Sequence, residues 1–357
     1  MKKIAVLCNY RLMPNRIGGM DAFYWAFDAA TKEQGYLVDW YFPNTANHGD
    51  YPKLTIHASG SEAVELFFLE QVKQKHMHYD VIMCHFVELC TPFYKHVKQQ
   101  LPQSKVIAVD HNPRPLGGYP LKKRLAKRMK GWLYARYIDT IIGVSAYTVK
   151  EIVRDFGSSV ASKTLIVHNG VLTDHIQRRN HRNRLHPNFL TACHLRYSKG
   201  IQDLIEAVSL IPEAVQSAIH IDVYGDGDYK KYLQKLVNTK HLTHQFSFKG
   251  NSPDLGSVYH HYDYLLHPSH MECFSLGILE SLAANVPVIT TTVGGNAEVI
   301  TSEQNGYLFT PRNVHQLKEL IENVYTGKKT IQMDTDVLIK QQFTLSNMVT
   351  QYLNLLS

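Results

Sequence analysis

The chain of 357 residues opens without a long hydrophobic run: after Lys2 and Lys3 only five apolar residues, Ile4 to Cys8, precede Asn9. That is too short for a signal-peptide core or a membrane span of about 20 residues, so a cytoplasmic protein beginning on a β-strand is expected. Cysteine is scarce. Cys8, Cys84, Cys90, Cys193 and Cys273 are odd in number and scattered, with no C-x-x-C pair, which excludes a disulfide scaffold and a zinc ribbon and makes them reduced core residues. Repeats and low-complexity tracts are also missing, and 44% apolar content excludes disorder; the length suits two domains of about 100–200 residues. Acid is missing from one stretch. Residues 1–174 hold 22 Lys and Arg against 15 Asp and Glu, residues 175–357 hold 16 of each, and the whole +7 therefore lies in the first half. Between His111 and Ile138 stand Arg114, Lys122, Lys123, Arg124, Lys127, Arg128, Lys130 and Arg136 with no acidic residue. Such a local excess reads as a surface for an anionic partner.

Short aliphatic runs alternate with stretches of helical period, the pattern of βα units around parallel sheets. Strands are predicted at 4–9, 37–42, 80–86, 105–111, 140–145 and 164–169, with helices at 20–34, 62–77, 120–137 and 146–156. Residues 172–188 are polar, basic and aperiodic, and read as a linker. The alternation then restarts with strands at 189–195, 218–225, 246–250, 264–268 and 287–292, and helices at 200–211, 229–239, 275–285 and 313–325. The expected fold class is α/β: two doubly wound, Rossmann-like domains, 1–174 and 175–342, facing an interdomain cleft, with ligands beyond the carboxyl ends of the strands. Leu345, Met348, Val349, Tyr352, Leu353 and Leu356 share one helical face, so helix 343–357 is expected to pack back on the first domain.

Residues 267–300 carry the most chemistry. A strand ends at Pro268, a helix is predicted from near Phe274, and Glu272 and Glu280 stand eight positions apart. On one helix they would share a face roughly 12 Å apart, farther than the ~5–9.5 Å of a glycosidase pair, as if gripping two ends of an elongated ligand. The backbone N–H groups of Cys273, Phe274, Ser275 and Leu276 open the helix and favour a phosphate. A carboxylate there also complements the helix dipole, with no ligand involved.

This stretch resembles glycosyltransferase family 4, retaining, nucleotide-sugar-dependent enzymes of the GT-B fold. The resemblance runs through Glu272-x7-Glu280, Pro287-Val288-Ile289 and Gly294-Gly295-Asn296-Ala297-Glu298, and extends to Gly18-Gly19, His111, Asn169-Gly170-Val171, Lys199-Gly200 and Tyr224-Gly225-Asp226-Gly227. It implies that Glu280 binds the nucleotide ribose, Glu272 the transferred sugar's hydroxyls and Lys199 the diphosphate. It places Gly18 and Gly19 by the phosphates and His111 near the sugar. Developing charge on the leaving diphosphate would be met by fixed cations and helix N–H groups without a metal, and glycines admit close backbone approach. There are departures from the pattern. Cys193-His194 replaces the usual Gly-Arg; since extended residues alternate faces, Arg196 shares the face of His194, and either can supply the missing group. Cys273 and Ser275 stand for glycines around Phe274, and Asn285 for one past the helix end.

On a wheel with Leu121 at 0°, Leu125, Met129, Trp132 and Leu133 fall within about 120°, and Lys130, Lys123, Lys127, Arg124 and Arg128 between about 180° and 340°. The apolar side is expected to pack and the cationic side to face an anionic membrane or acceptor through 120–137; without a recognised motif, nucleic acid is not a partner. The best metal cluster, His267 to Glu272, lacks a third partner at a convincing spacing, and no metal or cofactor is expected. The implied function is transfer of a hexose-type sugar from a UDP-sugar or GDP-sugar to a glycan or lipid-linked acceptor in surface polysaccharide or glycoconjugate synthesis, on the inner face of the plasma membrane. A GT-B epimerase or phosphorylase, or a non-catalytic nucleotide-sugar scaffold, is the alternative.

Overall fold

The computed structural model describes residues 2–14, 17–252 and 254–356. The chain forms two compact units, Met1–Asn169 with Leu345–Ser357, and Gly170–Thr344. In the first, β1 (Lys3–Cys8), β2 (Leu37–Phe42), β3 (Thr55–Ala58), β4 (Val81–His85), β5 (Lys105–Asp110), β6 (Thr140–Gly143) and β7 (Thr164–Ile166) make a seven-stranded sheet ordered β3-β2-β1-β4-β5-β6-β7. Every pairing is parallel. Helices cover both faces of such a sheet, which is why β1 and β4 are near-continuous buried apolar runs rather than alternating ones. The edge strand β3, with the half-polar sequence Thr-Ile-His-Ala, lacks that signature and escapes the sequence reading. Helix Leu345–Leu353 lies on helix Gly19–Glu33, where the fully buried Tyr352 ring sits 4.9 Å from that of Phe23.

The second unit holds β8 (Phe189–Ala192), β9 (Ile221–Tyr224), β10 (Phe246–Gly250), β11 (Tyr264–His267), β12 (Val288–Thr291) and β13 (Gly306–Phe309), all parallel, in the order β10-β9-β8-β11-β12-β13. Both sheets reverse their order beside the first strand, between β1 and β4 and between β8 and β11. At these points successive loops leave in opposite directions and open a crevice.

Residues 172–188 are not a free linker. Asp263, fully buried, accepts hydrogen bonds from Arg179 Nη2 (2.6 Å), the Asn183 backbone N–H (2.7 Å) and the Asn188 backbone N–H (2.9 Å), while Arg178 pairs with Asp334 and Asp336. The stretch looks like linker because its cations meet carboxylates distant in sequence, and the boundary falls at Asn169/Gly170 rather than 174/175.

The helix Leu121–Tyr134 inverts the expected faces. Leu121, Leu125, Met129 and Trp132 are 68, 62, 59 and 78% exposed. Gly131 is the helix's one buried residue, and a Cβ there would lie 2.1 Å from the carbonyl oxygen of Phe156. The helix docks by its polar side because acids await it: Lys127 pairs with Asp155 at 3.3 Å and Lys130 with Glu88 at 2.6 Å. Arg114 is likewise no part of a free patch, being buried between Asp110 and Asp155.

Candidate functional site

The second unit gathers its predicted residues around the β8/β11 switch point. Beyond β8 Leu195 is buried, while His194 and Arg196 on either side of it are exposed. The turn Tyr197–Lys199 then ends at Gly200, whose φ is +70° and where a Cβ would come within 1.9 Å of the Pro268 carbonyl oxygen. Only glycine lets this turn press on the loop after β11. The contact is sealed by the His270 backbone N–H donating to Ser198 O at 2.8 Å and by His270 Nε2 with Asp203 Oδ2 at 2.6 Å.

That approach delivers Lys199 Nζ to 2.5 Å from Glu272 Oε1. The same oxygen accepts from Ser269 Oγ at 2.8 Å and meets His267 Nε2 at 2.9 Å, so Oε2 carries none of the three bonds. Burial pushes the Glu272 carboxyl up, but the Lys199 charge and the His267 bond outweigh it and hold the group well below the usual carboxylate range. From behind, Gly294 at φ +59° sets its Cα so close that a Cβ would stand 2.1 Å from Glu272 O, and Gly295 N donates to Cys273 O at 2.8 Å. The Gly-Gly loop thus fixes the Glu272 backbone.

Cys273 and Phe274 are buried, Ser275 is the N-cap, and the helix runs Leu276–Ala283. Glu272 therefore precedes the helix in a loop shaped by its own hydrogen bonds, and the helical projection that paired it with Glu280 does not apply. Glu280 lies inside the helix, where Tyr259 OH donates to its Oε2 at 3.2 Å. Burial pushes its carboxyl up to about 7, with Tyr259 opposing. Two carboxylates on one loop-helix unit thus hold opposite tendencies, one fixed as an anion and one titrating near neutrality.

In the first unit Gly18 caps helix Gly19–Glu33. Its N–H donates to Asp21 Oδ2 at 2.9 Å, and a Cβ on it would meet nothing within 4 Å. His111 follows β5, with Nε2 3.0 Å from His85 Nδ1 and the Phe86 ring stacked on it at 4.3 Å. Burial pulls its imidazole down to about 4 against the opposing charge of Asp110, so it is neutral at physiological pH. Sequence reasoning missed His85, Phe86 and Tyr259, and weighed His267 and Ser269 only as part of a metal cluster, not as partners of Glu272. His85, Phe86, His267 and Ser269 sit at or just past the carboxyl ends of the strands flanking a switch point, and that position was the available signal. Among the described residues no group of three His, Cys, Asp or Glu side chains stands where it could hold a metal, and no helix is long and apolar enough to cross a membrane.

Comparison with known proteins gives the chain its family. The family described as glycosyl transferases group 1 matches residues 174–334, and glycosyltransferase family 4 matches residues 17–175. The chain belongs to the family 4 glycosyltransferases. Glycogen synthase of Mycobacterium tuberculosis is 28% identical over 204 residues, 56% of this chain and 49% of that protein. The lipopolysaccharide glucosyltransferase WaaG of Escherichia coli is 29% identical over 131 residues, 36% of this chain and 34% of WaaG. The chain thus matches about half or less of the length of these curated relatives. HepE of Anabaena, solved in complex with UDP, superposes with a TM-score of 0.75 at 18% identity over 100% of this chain and 99% of that one, which places both units in the GT-B fold. As a family 4 glycosyltransferase, the chain departs from the pattern at His194, and Arg196, two residues on, is exposed.

Proposed function

We propose that this glycosyltransferase moves a hexose-type sugar, with retention of anomeric configuration, from a UDP-sugar or GDP-sugar to the hydroxyl of a glycan or lipid-linked acceptor in surface polysaccharide or glycoconjugate synthesis. The observation that carries the reading is the Lys199–Glu272 pair, held on the same loop-helix as the near-neutral Glu280. Lys199, Arg196 and the N–H groups of Cys273 to Leu276 meet the diphosphate, Gly18 and Gly19 admit it, and Glu280 accepts from the ribose hydroxyls. Glu272, its Oε1 occupied, offers Oε2 to the sugar's hydroxyls, and neutral His111 contacts the sugar as a hydrogen-bonding group. As the C1–O bond to the diphosphate breaks, negative charge grows where these donors point, which lowers the barrier. The acceptor oxygen attacks C1 from the same face, and its proton leaves to the departing phosphate oxygen. No metal or further cofactor enters. The protein works in the cytoplasm, at the inner face of the plasma membrane.

UDP-glucose is the first donor to try, since HepE has been solved with it and WaaG is a glucosyltransferase. Purified protein is assayed against UDP- and GDP-sugars with saccharide acceptors, following the anomeric proton by NMR. Product of unchanged configuration is expected. Donor epimerised without acceptor, or nucleotide bound with no turnover of any sugar, would overturn the proposal.

A further inference from the structure

The helix Leu121–Tyr134 turns a row of large apolar side chains to solvent. Leu121, Leu125, Met129 and Trp132 stand at intervals of four, four and three residues, so they form a single ridge about 16 Å long. All four are more than half exposed, Trp132 at 78%, and Leu116, in the loop leading to the helix, is 43% exposed. Arg124 and Arg128 flank the ridge on one side, at about 300° and 340° on the wheel, and Lys122 on the other, at about 100°. All three are exposed. The opposite face is tied down by Gly131 against Phe156 and by Lys127 and Lys130 on Asp155 and Glu88. The presented face is therefore fixed by packing.

We propose that this ridge inserts into an anionic lipid bilayer, with the helix lying in the interfacial plane. The inference rests on the membrane-side reading above and specifies its mode: apolar burial at the headgroup boundary, with the flanking cations on the lipid phosphates. A helix with an exposed apolar stripe, a tryptophan and cations along its edges has the composition of such an interfacial element. Two copies of the chain meeting ridge to ridge would bring Arg124, Arg128 and Lys122 against their own counterparts, and like charges across an interface oppose association. An anionic bilayer meets both the apolar and the cationic parts at once. Within the first unit, the loop from His111 leads directly into the helix, and Arg114 anchors it on Asp110 and Asp155. An acceptor carried on lipid would then be presented on the strand-end side where His111 stands.

The test uses the full-length protein and its own fluorescence. Of the three tryptophans, Trp40 is fully buried and Trp25 half-buried, so Trp132 is the one that a membrane can reach. Phosphatidylglycerol vesicles should shift the emission to the blue and permit quenching by brominated acyl chains, whereas phosphatidylcholine vesicles should do neither. Trp132→Phe should remove the signal while co-flotation persists. Leu125→Gln with Met129→Gln should weaken partitioning at least about ten-fold, and Arg124→Gln or Arg128→Gln about five-fold each, all without change in melting temperature. Salt-reversible flotation without bromine quenching would mean adsorption by charge alone and would overturn insertion. A blue shift that grows with protein concentration in the absence of lipid would assign the ridge to a second copy instead. Release of nucleotide from UDP-glucose, measured in parallel without vesicles, separates failure of this inference from failure of the glycosyltransferase reading.

Discussion

Glu280→Gln should make the protein more stable and worse at holding its donor, and pH should switch the first effect on and off. Burial raises the Glu280 carboxyl from 4.5 to about 7. Between those values the folded state holds a proton that the unfolded state has released, so stability falls as pH rises through this window, and the full cost is present above pH 7. At about 1.4 kcal/mol per pH unit the ionised carboxylate costs up to about 3 kcal/mol. Gln keeps an oxygen for Tyr259 OH but carries no charge. The variant should therefore melt up to about 6–12 °C higher at pH 8, given about 2–4 °C per kcal/mol for a unit of this size, and only about 2–3 °C higher at pH 5, near the lower end of that window. Donor binding should move the opposite way. In the proposed role the Glu280 carboxylate accepts from both ribose hydroxyls, so the affinity of wild type for UDP-glucose, whose diphosphate does not titrate here, should rise about ten-fold from pH 6 to pH 8. In Glu280→Gln it should be low and flat. Tyr259→Phe removes the donor that opposes the shift, so its affinity midpoint should lie at higher pH. Calorimetric melts and donor titrations at four pH values settle the matter: equal stabilisation of Glu280→Gln at pH 5 and pH 8, or a donor affinity independent of pH, would refute the argument.

Three further outcomes are expected. Gly18→Ala should leave the melting temperature within the effect of about 0.5 kcal/mol, because the added carbon meets nothing. Loss of transfer in that variant would then report the donor's approach, while Gly294→Ala, strained at φ +59° and blocked by Glu272 O, should cost about 2 kcal/mol or more in denaturant melts. Asp263→Ala strands Arg179 and two backbone N–H groups and should destabilise by about 3–5 kcal/mol, with limited proteolysis cutting first within 178–188; wild type cut there as readily as the variant would return that stretch to the status of a linker. Lys199→Met and Glu272→Gln should each abolish transfer, yet their stability costs should couple by more than 1 kcal/mol in a double-mutant cycle, as the 2.5 Å pair requires.

What the sequence made legible follows from the range over which each signal acts. Alternating buried runs and glycine turns are local, and they located most of the strands; β3, Thr-Ile-His-Ala, is half polar and β13, Gly-Tyr-Leu-Phe, opens on a glycine, so neither shows an unbroken aliphatic run. The Glu272 and Glu280 spacing was readable, but their chemistry was not. Glu272 is held anionic by Lys199, 73 positions away, and Glu280 is pushed toward neutrality by burial that only the folded unit supplies. The basic stretches carry the same lesson. Residues 172–188 looked like linker and Lys127 and Lys130 like a solvated face, yet Arg178, Arg179, Lys127 and Lys130 are each paired with an acid from a distant element. Helical periodicity gives the two faces of an amphipathic helix but not which one is turned inward. Hydrophobicity alone would bury Leu121, Leu125, Met129 and Trp132. The neighbouring surface decides otherwise because it offers Asp155, Glu88 and a glycine-sized contact at Phe156, and a helix held inward by those contacts turns its apolar ridge outward, flanked by Arg124, Arg128 and Lys122.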